Sequence, residues 1–395
     1  MGPADRVRLG PLTETSPPPR TAALALAGVF FSLGFVGASW ISRIPQMQDA
    51  LDLSNRVLGL ALLGLPLGSV AVTLWLPRVL ERHARRIVVL GLPAAAASLC
   101  LLPAAGNAEG LLAALVVVGV TTAAVDVAMN AQAVVVQSTL SRSVIARWHA
   151  MWSAGGFVGA VVGATFAALS PSLLAHFASV LVLVALADAW LRHRLAADPA
   201  EAPEHERRSW SRDPRVLVLA AVSVAGFVIE VCAADWGGVF LRRVLGTAVS
   251  TAAIAYAAFA LPHFLARLFG DALIARWSRA AVMLSGLLAA AAGFALLVTS
   301  TTTVQALLGL AVSGAGISLV VPVALLAAGN VVGVPGGAGV ATVAGISYAG
   351  WTLTPPLVGV IAGAAGLRAA LLLPLCAALA AAGLVTVISR TGRAV

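Results

Sequence analysis

Twelve runs of about 20 mostly apolar residues follow one another along the chain. An α-helix rises about 1.5 Å per residue, so such a run is long enough to cross the roughly 30 Å hydrocarbon core of a bilayer. Strict apolar-polar alternation, the mark of an outer-membrane barrel, is missing from these runs. The sequence therefore predicts an all-α integral membrane protein. The predicted spans are 21–41, 57–76, 87–105, 111–137, 150–169, 173–191, 216–237, 250–269, 280–299, 304–328, 337–363 and 368–389.

The composition agrees with a membrane protein and argues against several soluble classes. Hydrophobic residues make up 60% of the chain and charged residues 10%, whereas about 25% of an ordinary soluble domain is charged. The net charge is +9, but no basic folded domain lies outside the spans to bind nucleic acid. Cys100, Cys232 and Cys376 lie in apolar runs, which predicts free thiols. We expect no cofactor and no metal site.

The arginines predict the orientation, because the chain contains no lysine. They concentrate in alternate loops, namely those after the second and fourth spans, residues 192–215 and the C-terminal tail. Since positively charged loops remain in the cytoplasm, both termini are predicted to be cytoplasmic in a bacterial inner membrane. Arg242 and Arg243, after the seventh span, break this rule. The polar, proline-rich residues 1–20 predict a disordered tail and not a signal peptide.

The chain also divides into two similar halves. Residues 192–215 contain six arginines, five acids and three prolines, a composition typical of a linker. It separates a bundle at 21–191 from a bundle at 216–389, which the short tail 390–395 follows. Three weak matches support a repeat: ERHAR with ARWSR and SAGGF with SYAGW, each 194 residues apart, and GASW with AADW, 196 apart. The pattern predicts two six-helix bundles repeated in parallel, the major facilitator architecture.

Particular motifs add a family resemblance. The loop PRVLERHARR after the second span is similar to the major facilitator signature G-x-x-x-D-R-x-G-R-[RK], with Pro77, Glu81 and Ala84 departing from it. The resemblance to the MosC-like or YbjJ-like subgroup of that superfamily covers nearly the whole chain from about residue 25 and implies a transporter. It is carried in order by SWISRIPQMQDALDLSNRVLGLALLGLPLG, DVAMNAQAV, RWHAMWSAGGFVGA, EVCAADWGGVFLR, RLFGD and SYAGWTLTPPLVG.

The fourth span carries a polar stripe. Asn130 and Gln137 follow Asp126 by four and eleven residues, which places all three within about 40° of one another on a helix. A carboxylate at this depth costs about 2.5–3.5 kcal/mol, so it should face a cavity or a partner. We favour a wall that binds substrate or carries a proton. The alternative is a hydrogen-bonded cluster that holds the helix in place.

The seventh and eighth spans carry the other polar candidates for substrate binding or proton coupling. Glu230 and Asp235 are five residues apart, about 140° around an α-helix, so they are not expected to share a face closely. Glu230 lies deeper and could load and release a proton, whereas Asp235 could be an interfacial residue beside Trp236. His263 could accept protons, although a packed, hydrogen-bonded histidine is the favoured interpretation. Tyr348 and the following aromatic Trp351 are predicted to line the cavity.

A cytoplasmic gate is predicted from charges at equivalent places in the two halves. Arg267 and Asp271 form an i, i+4 pair at the end of the eighth span. The whole predicted gate comprises Glu81, Arg82, Arg85, Arg86, Arg267, Asp271, Arg276 and Arg279.

Small residues and prolines shape two spans. Gly155, Gly159 and Gly163 recur every four residues and predict a bare face on which another helix packs closely. Pro355 and Pro356 either break the eleventh span, so that unwound backbone lines a cavity, or form a tolerated kink.

The sequence therefore predicts a secondary transporter and not an enzyme. A chain without lysine lacks the phosphate-binding lysine of an ATP-driven pump, and no nucleophile-base pair or zinc-protease motif is present. We expect a monomer that exports a small organic solute by alternating access with proton coupling. An uncoupled facilitator, or a non-transporting sensor or scaffold with a transporter fold, remains the alternative.

Overall fold

A computed structural model describes residues 18–75, 82–140, 144–169, 172–198 and 210–390. Twelve helices within this part are long and apolar enough to cross a membrane, and no β-strand occurs in it. The predicted all-α membrane fold is confirmed. The helices are α1 (Pro19–Ala50), α2 (Asn55–Thr73), α3 (Ala84–Ala104), α4 (Ala108–Ser138), α5 (Arg147–Leu169), α6 (Leu173–Leu191), α7 (Pro214–Arg243), α8 (Val249–Leu268), α9 (Arg279–Val298), α10 (Thr303–Ala328), α11 (Gly336–Ala370) and α12 (Leu372–Ser389).

Small polar side chains fix where several helices begin. The carbonyl oxygen of the Asn107 side chain accepts the backbone N–H of Gly110 at 2.8 Å at the start of α4. The Ser172 hydroxyl oxygen accepts the backbone N–H of Ala175 in α6 at 3.1 Å. The Asp213 carboxylate accepts the backbone N–H of Arg215 in α7 at 2.8 Å. Such caps satisfy backbone donors that have no partner inside the helix.

The helices pack as two bundles with the same internal pairing. In the first half, α1 packs on α5 and α6, α2 on α4, and α3 on α4 and α6. In the second half, the helices six places later pair in the same way: α7 on α11 and α12, α8 on α10, and α9 on α10 and α12. The repeated pairing is that of two six-helix bundles.

The three small residues of α5 lie against α1. A Cβ atom placed on Gly155 would lie 1.9 Å from the carbonyl oxygen of Phe31, and one on Gly159 would lie 2.5 Å from that of Phe35. At Gly163 the Cβ would lie 1.9 Å from the Ser42 hydroxyl oxygen. The bare face of α5 therefore lets the backbones of two helices approach within van der Waals distance.

We expect Gly155→Ala to destabilise the protein strongly, because its new methyl group would collide with backbone and not with a flexible side chain. Overpacking of this kind costs about 1–3 kcal/mol. Thermal unfolding of purified protein measures the effect. Gly383→Ala in α12 is the matched control, since its Cβ would meet nothing within 4 Å. Equal melting temperatures for the two variants would contradict the close approach of α5 to α1.

The two halves meet through α2 with α11 and through α5 with α8. We call the side of the membrane on which α1 and α7 begin the terminal side, and the opposite one the distal side. On the distal side, a Cβ on Gly59 would lie 2.6 Å from the carbonyl oxygen of Pro355 and 2.8 Å from the Cα of Gly359. Asp49 also binds Arg242 at 2.7 Å and Arg243 at 3.1 Å. The halves are therefore held together on the distal side.

Irregular segments interrupt α7 and α11. Residues Cys232–Trp236 of α7 form a π turn. In α11 the backbone stays helical through Pro355 and Pro356 and leaves helical geometry at Gly366, where φ is 84°. The unwound segment considered for the two prolines is thus absent, and the break falls at a glycine because glycine adopts positive φ without steric cost.

Candidate functional site

A polar cluster lies at the contact between the two halves. The His263 Nε2 atom in α8 is 3.2 Å from Glu230 Oε1 in α7, and Arg267 Nη2, one turn further along α8, is 3.6 Å from the same oxygen. The His263 side chain is 5% exposed and that of Glu230 is 26% exposed. Glu230 therefore has two possible cationic partners and still reaches an accessible space.

Ser153 of α5 joins this cluster from the first half. Its hydroxyl oxygen is 3.3 Å from Arg267 Nη1 and 3.5 Å from His263 Nδ1. A neutral His263 with its proton on Nε2 fits this pattern, because it donates to Glu230 and accepts from Ser153. The result is a chain of hydrogen bonds that links Glu230 to the opposite bundle.

Arg267, which was predicted to form a cytoplasmic latch with Asp271, makes further contacts at the cluster. Besides its contacts with Glu230 and Ser153, Arg267 donates through Nε to the carbonyl oxygen of Ser318 in α10 at 3.1 Å. The side chain of Asp271 lies outside the described residues. Arg267 is thus held within the central cluster, where Glu230 provides a charge partner.

The π turn changes the expected relation between the two acids of α7. A π turn contains one more residue than an α turn, so each later side chain is turned back by about 100°. Asp235 lies inside this turn, where each residue advances by less than 100°, so its angle from Glu230 is smaller than the roughly 140° of a regular α-helix. The expected angle assumed α-helical geometry throughout, and this assumption does not hold at Asp235.

Aromatic rings of α8 lie beside these acids and face α5. Tyr256 of α8 is close enough to interact electrostatically with both Glu230 and Asp235. Its ring stacks on Phe259 at 6.1 Å, and Phe259 stacks on His263 at 5.5 Å. The hydroxyl of Tyr256 also lies opposite Gly156 of the first half, 3.7 Å from where its Cβ would be. The site thus combines carboxylates with ring faces.

The polar stripe of α4 is only partly exposed. The Asn130 amide nitrogen donates to the backbone oxygen of Asp126 at 2.9 Å and lies 3.4 Å from its carboxylate. Both side chains are half-buried. Gln137 has a different contact, since its side-chain oxygen accepts the backbone N–H of Val144 at 2.8 Å. Gln137 therefore binds the backbone just before α5, and its role in lining the cavity stays a prediction.

The two aromatic candidates of α11 form one contact. The rings of Tyr348 and Trp351 pack edge-to-face with centroids 6.1 Å apart. Tyr348 is 42% exposed, and Trp351 is half-buried. These residues lie on a face of α11 that the bundle does not fully cover.

The remaining gate candidates are placed as follows. Glu81 lies outside the described residues. Arg85 binds the segment that follows α6, through its backbone N–H to the Asp198 carboxylate at 2.6 Å and through Nη2 to the carbonyl oxygen of Arg192 at 3.0 Å. Arg82, Arg86 and Arg276 are exposed, and Arg279 is half-buried. Within the described residues, no contact of Arg85 with the second bundle occurs.

Three residues with clear contacts were absent from the sequence-based set. Ser153 reaches the central cluster, Asp49 forms the distal ion pairs, and Asp198 binds Arg85. The sequence contained one indication for Asp49. Arg242 and Arg243 break the charge rule for loops, so an acid in another loop on the same side could be expected to neutralise them. No local pattern marks Ser153.

The fold and sequence are similar to those of known transporters. The family model described as Major Facilitator Superfamily matches residues 23–241. An uncharacterized MFS-type transporter of Yersinia pestis is 31% identical over 84% of this chain and 87% of its own length. Membrane protein MosC of Rhizobium meliloti is 26% identical, with 93% and 90% covered.

Solved structures share the fold at low sequence identity. The crystal structure of the nucleoside transporter NupG has a TM-score of 0.70 at 15% identity, covering 93% of this chain and 98% of its own. A bacterial homologue of the human lysosomal transporter Spinster, in an inward-facing and occupied conformation, has a TM-score of 0.71 at 18% identity, covering 95% and 98%. The helix arrangement, the matching family model and the related sequences together show that this chain, a multi-pass membrane transporter, belongs to the major facilitator superfamily.

Proposed function

We propose that this protein exports a small organic solute in exchange for protons, by alternating access between helices α1–α6 and α7–α12. The observation that carries the proposal is the contact of Glu230 with His263 and Arg267, both of which reach Ser153 of the other half. A proton on Glu230 therefore changes a contact between the halves. Coupling requires this link between protonation and conformation.

The proposed cycle follows from the charges of this cluster. Ionised Glu230 attracts Arg267 and accepts from His263, and both partners contact α5. A proton that binds Glu230 removes its negative charge and weakens the attraction to Arg267, so the contact between α8 and α5 is released. Loss of that proton on the other side restores the contact. The hydrogen-bonded chain Ser153–His263–Glu230 gives the proton a short route to the carboxylate.

We assign solute binding to Asp126, Asn130 and Asp235, with Tyr348 and Trp351 along the access path. Asp235 lies in the π turn that follows Glu230, and Tyr256 interacts electrostatically with both acids, so solute and proton compete for neighbouring carboxylates. Such competition favours exchange, in which the outward step of the solute and the inward step of the proton alternate.

Transport by purified protein in proteoliposomes tests the proposal. Candidate solutes are first selected by thermal shift, because a ligand that binds the folded state stabilises it. A pH gradient is then imposed across the vesicle membrane. Accumulation of solute against its gradient supports proton exchange. If the solute only equilibrates across the membrane, whatever the pH gradient, the protein is an uncoupled facilitator. Solute binding without any flux would indicate a sensor.

The orientation is part of the proposal, with the terminal side in the cytoplasm of a bacterial inner membrane. Arginines on that side and the charge balance of Asp49 with Arg242 and Arg243 on the distal side support it. In a variant without native cysteines, we expect Gly106→Cys to react with a membrane-impermeant reagent in intact cells and Ala275→Cys to react only after lysis. Both residues are exposed. The reverse labelling pattern would invert the orientation.

The distal ion pairs give a separate prediction for alternating access. Asp49→Asn removes the attraction to Arg242 and Arg243, and partly exposed ion pairs are worth about 0.2–1 kcal/mol each. We expect the population open on the distal side to rise by about 2-fold to 30-fold. Distances between spin labels at Gly106 and Thr301, one in each half, measure it.

The control for this variant is Asp52→Asn in the same loop. Asp52 is exposed and forms no ion pair among the described residues. Its replacement should leave the distance distribution unchanged. An equal shift in both variants would mean that loop charge in general, and not the pairing of Asp49, controls the distal opening.

A further inference from the structure

A second charged cluster lies inside the first half, separate from Glu230. Arg43 follows Ser42 at the turn that interrupts α1, and its side chain is completely buried. The Nη1 atom donates to the carbonyl oxygen of Gly163 in α5 at 3.2 Å. The Nε and Nη2 atoms have no hydrogen-bond partner in the part of the chain that the structure describes.

His176 of α6 lies beside this arginine. Its ring is also completely buried, between Phe166 at 5.0 Å and Phe177 at 5.2 Å. Neither ring nitrogen has a partner among the described residues. A Cβ on Gly163, whose carbonyl binds Arg43, would lie 3.3 Å from His176 Cε1. Arg43 and His176 therefore meet at the same glycine, and they interact electrostatically.

The buried charge of Arg43 requires a counter-charge. An isolated ion in a low-dielectric interior is unfavourable by tens of kcal/mol in the limiting case, so buried charges are normally paired. No acidic side chain forms an ion pair with Arg43 within the described ranges. Arg267, by comparison, has Glu230 as its partner. A water molecule would satisfy the N–H groups of Arg43 but would leave its charge uncompensated.

We propose that Arg43 and His176 form a binding site for one small inorganic anion such as chloride. Arg43 offers the N–H groups of its Nε and Nη2 atoms, and a neutral His176 offers one ring N–H. Complete burial of both side chains favours a compact anion over an organic carboxylate. The anion joins α1, α5 and α6 near the distal end of the first half, so it acts as a structural ligand and not as the transported solute.

Equilibrium binding of radiolabelled chloride to purified protein, in gluconate buffer of constant ionic strength, tests the site. We expect about one chloride per chain for the wild type and for Arg56→Met, a control that removes an exposed arginine from the distal side. Arg43→Met keeps an apolar stem and removes the charge, so its binding should fall at least tenfold. Absence of chloride binding in the wild type, or unchanged binding in Arg43→Met, would overturn the proposal.

His176→Phe provides a second test in case Arg43→Met does not fold. A phenyl ring can occupy the space between Phe166 and Phe177 but cannot donate a hydrogen bond. We expect a several-fold weaker chloride affinity and a smaller rise of the melting temperature when chloride replaces gluconate. Wild-type affinity in this variant would exclude His176 from the site. None of these measurements depends on solute transport, so their outcome is independent of the proposed function.

Discussion

Glu230→Gln should abolish accumulation of solute driven by a pH gradient, with a loss of at least tenfold, and leave exchange of labelled for unlabelled solute intact. Glutamine keeps the size and a hydrogen-bond acceptor for His263 but cannot exchange a proton. The variant also removes the attraction to Arg267, which lies 3.6 Å from the carboxylate. Accumulation and counterflow measured in the same proteoliposomes separate coupling from binding.

The matched control is Glu109→Gln, which changes an exposed acid in the first turn of α4. It should transport as the wild type does. Loss of both accumulation and counterflow in Glu230→Gln would make Glu230 a solute-binding group. Normal accumulation would remove Glu230 from the coupling mechanism.

Asp126→Asn should raise the KM for solute at least tenfold without lowering the melting temperature. Asparagine retains the size of aspartate and can still bond to Asn130, so a purely structural contact survives the change. The charge available to a solute is lost. Initial rates over a range of solute concentrations, together with thermal unfolding, distinguish the two roles.

Asp188→Asn serves as the comparison for this variant, because Asp188 is a buried acid in α6 of the same half and lies off the polar stripe. Its KM should remain at the wild-type value. If Asp126→Asn also kept the wild-type KM, the hydrogen-bonded cluster in α4 would be structural and solute binding would have to rest on other groups.

The apolar runs predicted the helices well because length and hydropathy are local properties of the chain. They underestimated α1, since a second helix, Ile44–Ala50, follows the turn at Ser42 and Arg43. Gln46, Gln48 and Asp49 lower the hydropathy of that second segment, so the apolar run ended before it. The small-residue face of α5 was also readable, because its spacing of four residues is a helical period.

The contacts of the site were harder to predict from the sequence, because they join distant parts of the chain. Glu230 and Arg267 are brought together by the packing of α7 and α8, and no periodicity pairs them. His263 and Arg267 are four residues apart on one helix face, a signal that could have placed Arg267 beside His263. The angle between Glu230 and Asp235 could not be predicted, because a π turn has no reliable local signature and displaces every later side chain.

The contact between Gly59 and Gly359 has a consequence for the speed of the transport cycle. Each glycine faces the backbone of the other half, with no side chain interposed. In the proposed cycle, two backbone surfaces separate and meet again without displacing interlocked side chains, so we expect this contact to resist the movement of the halves only weakly. We therefore expect the charges of Asp49, Arg242 and Arg243 to control the rate of opening at that side, and this rate to increase with ionic strength.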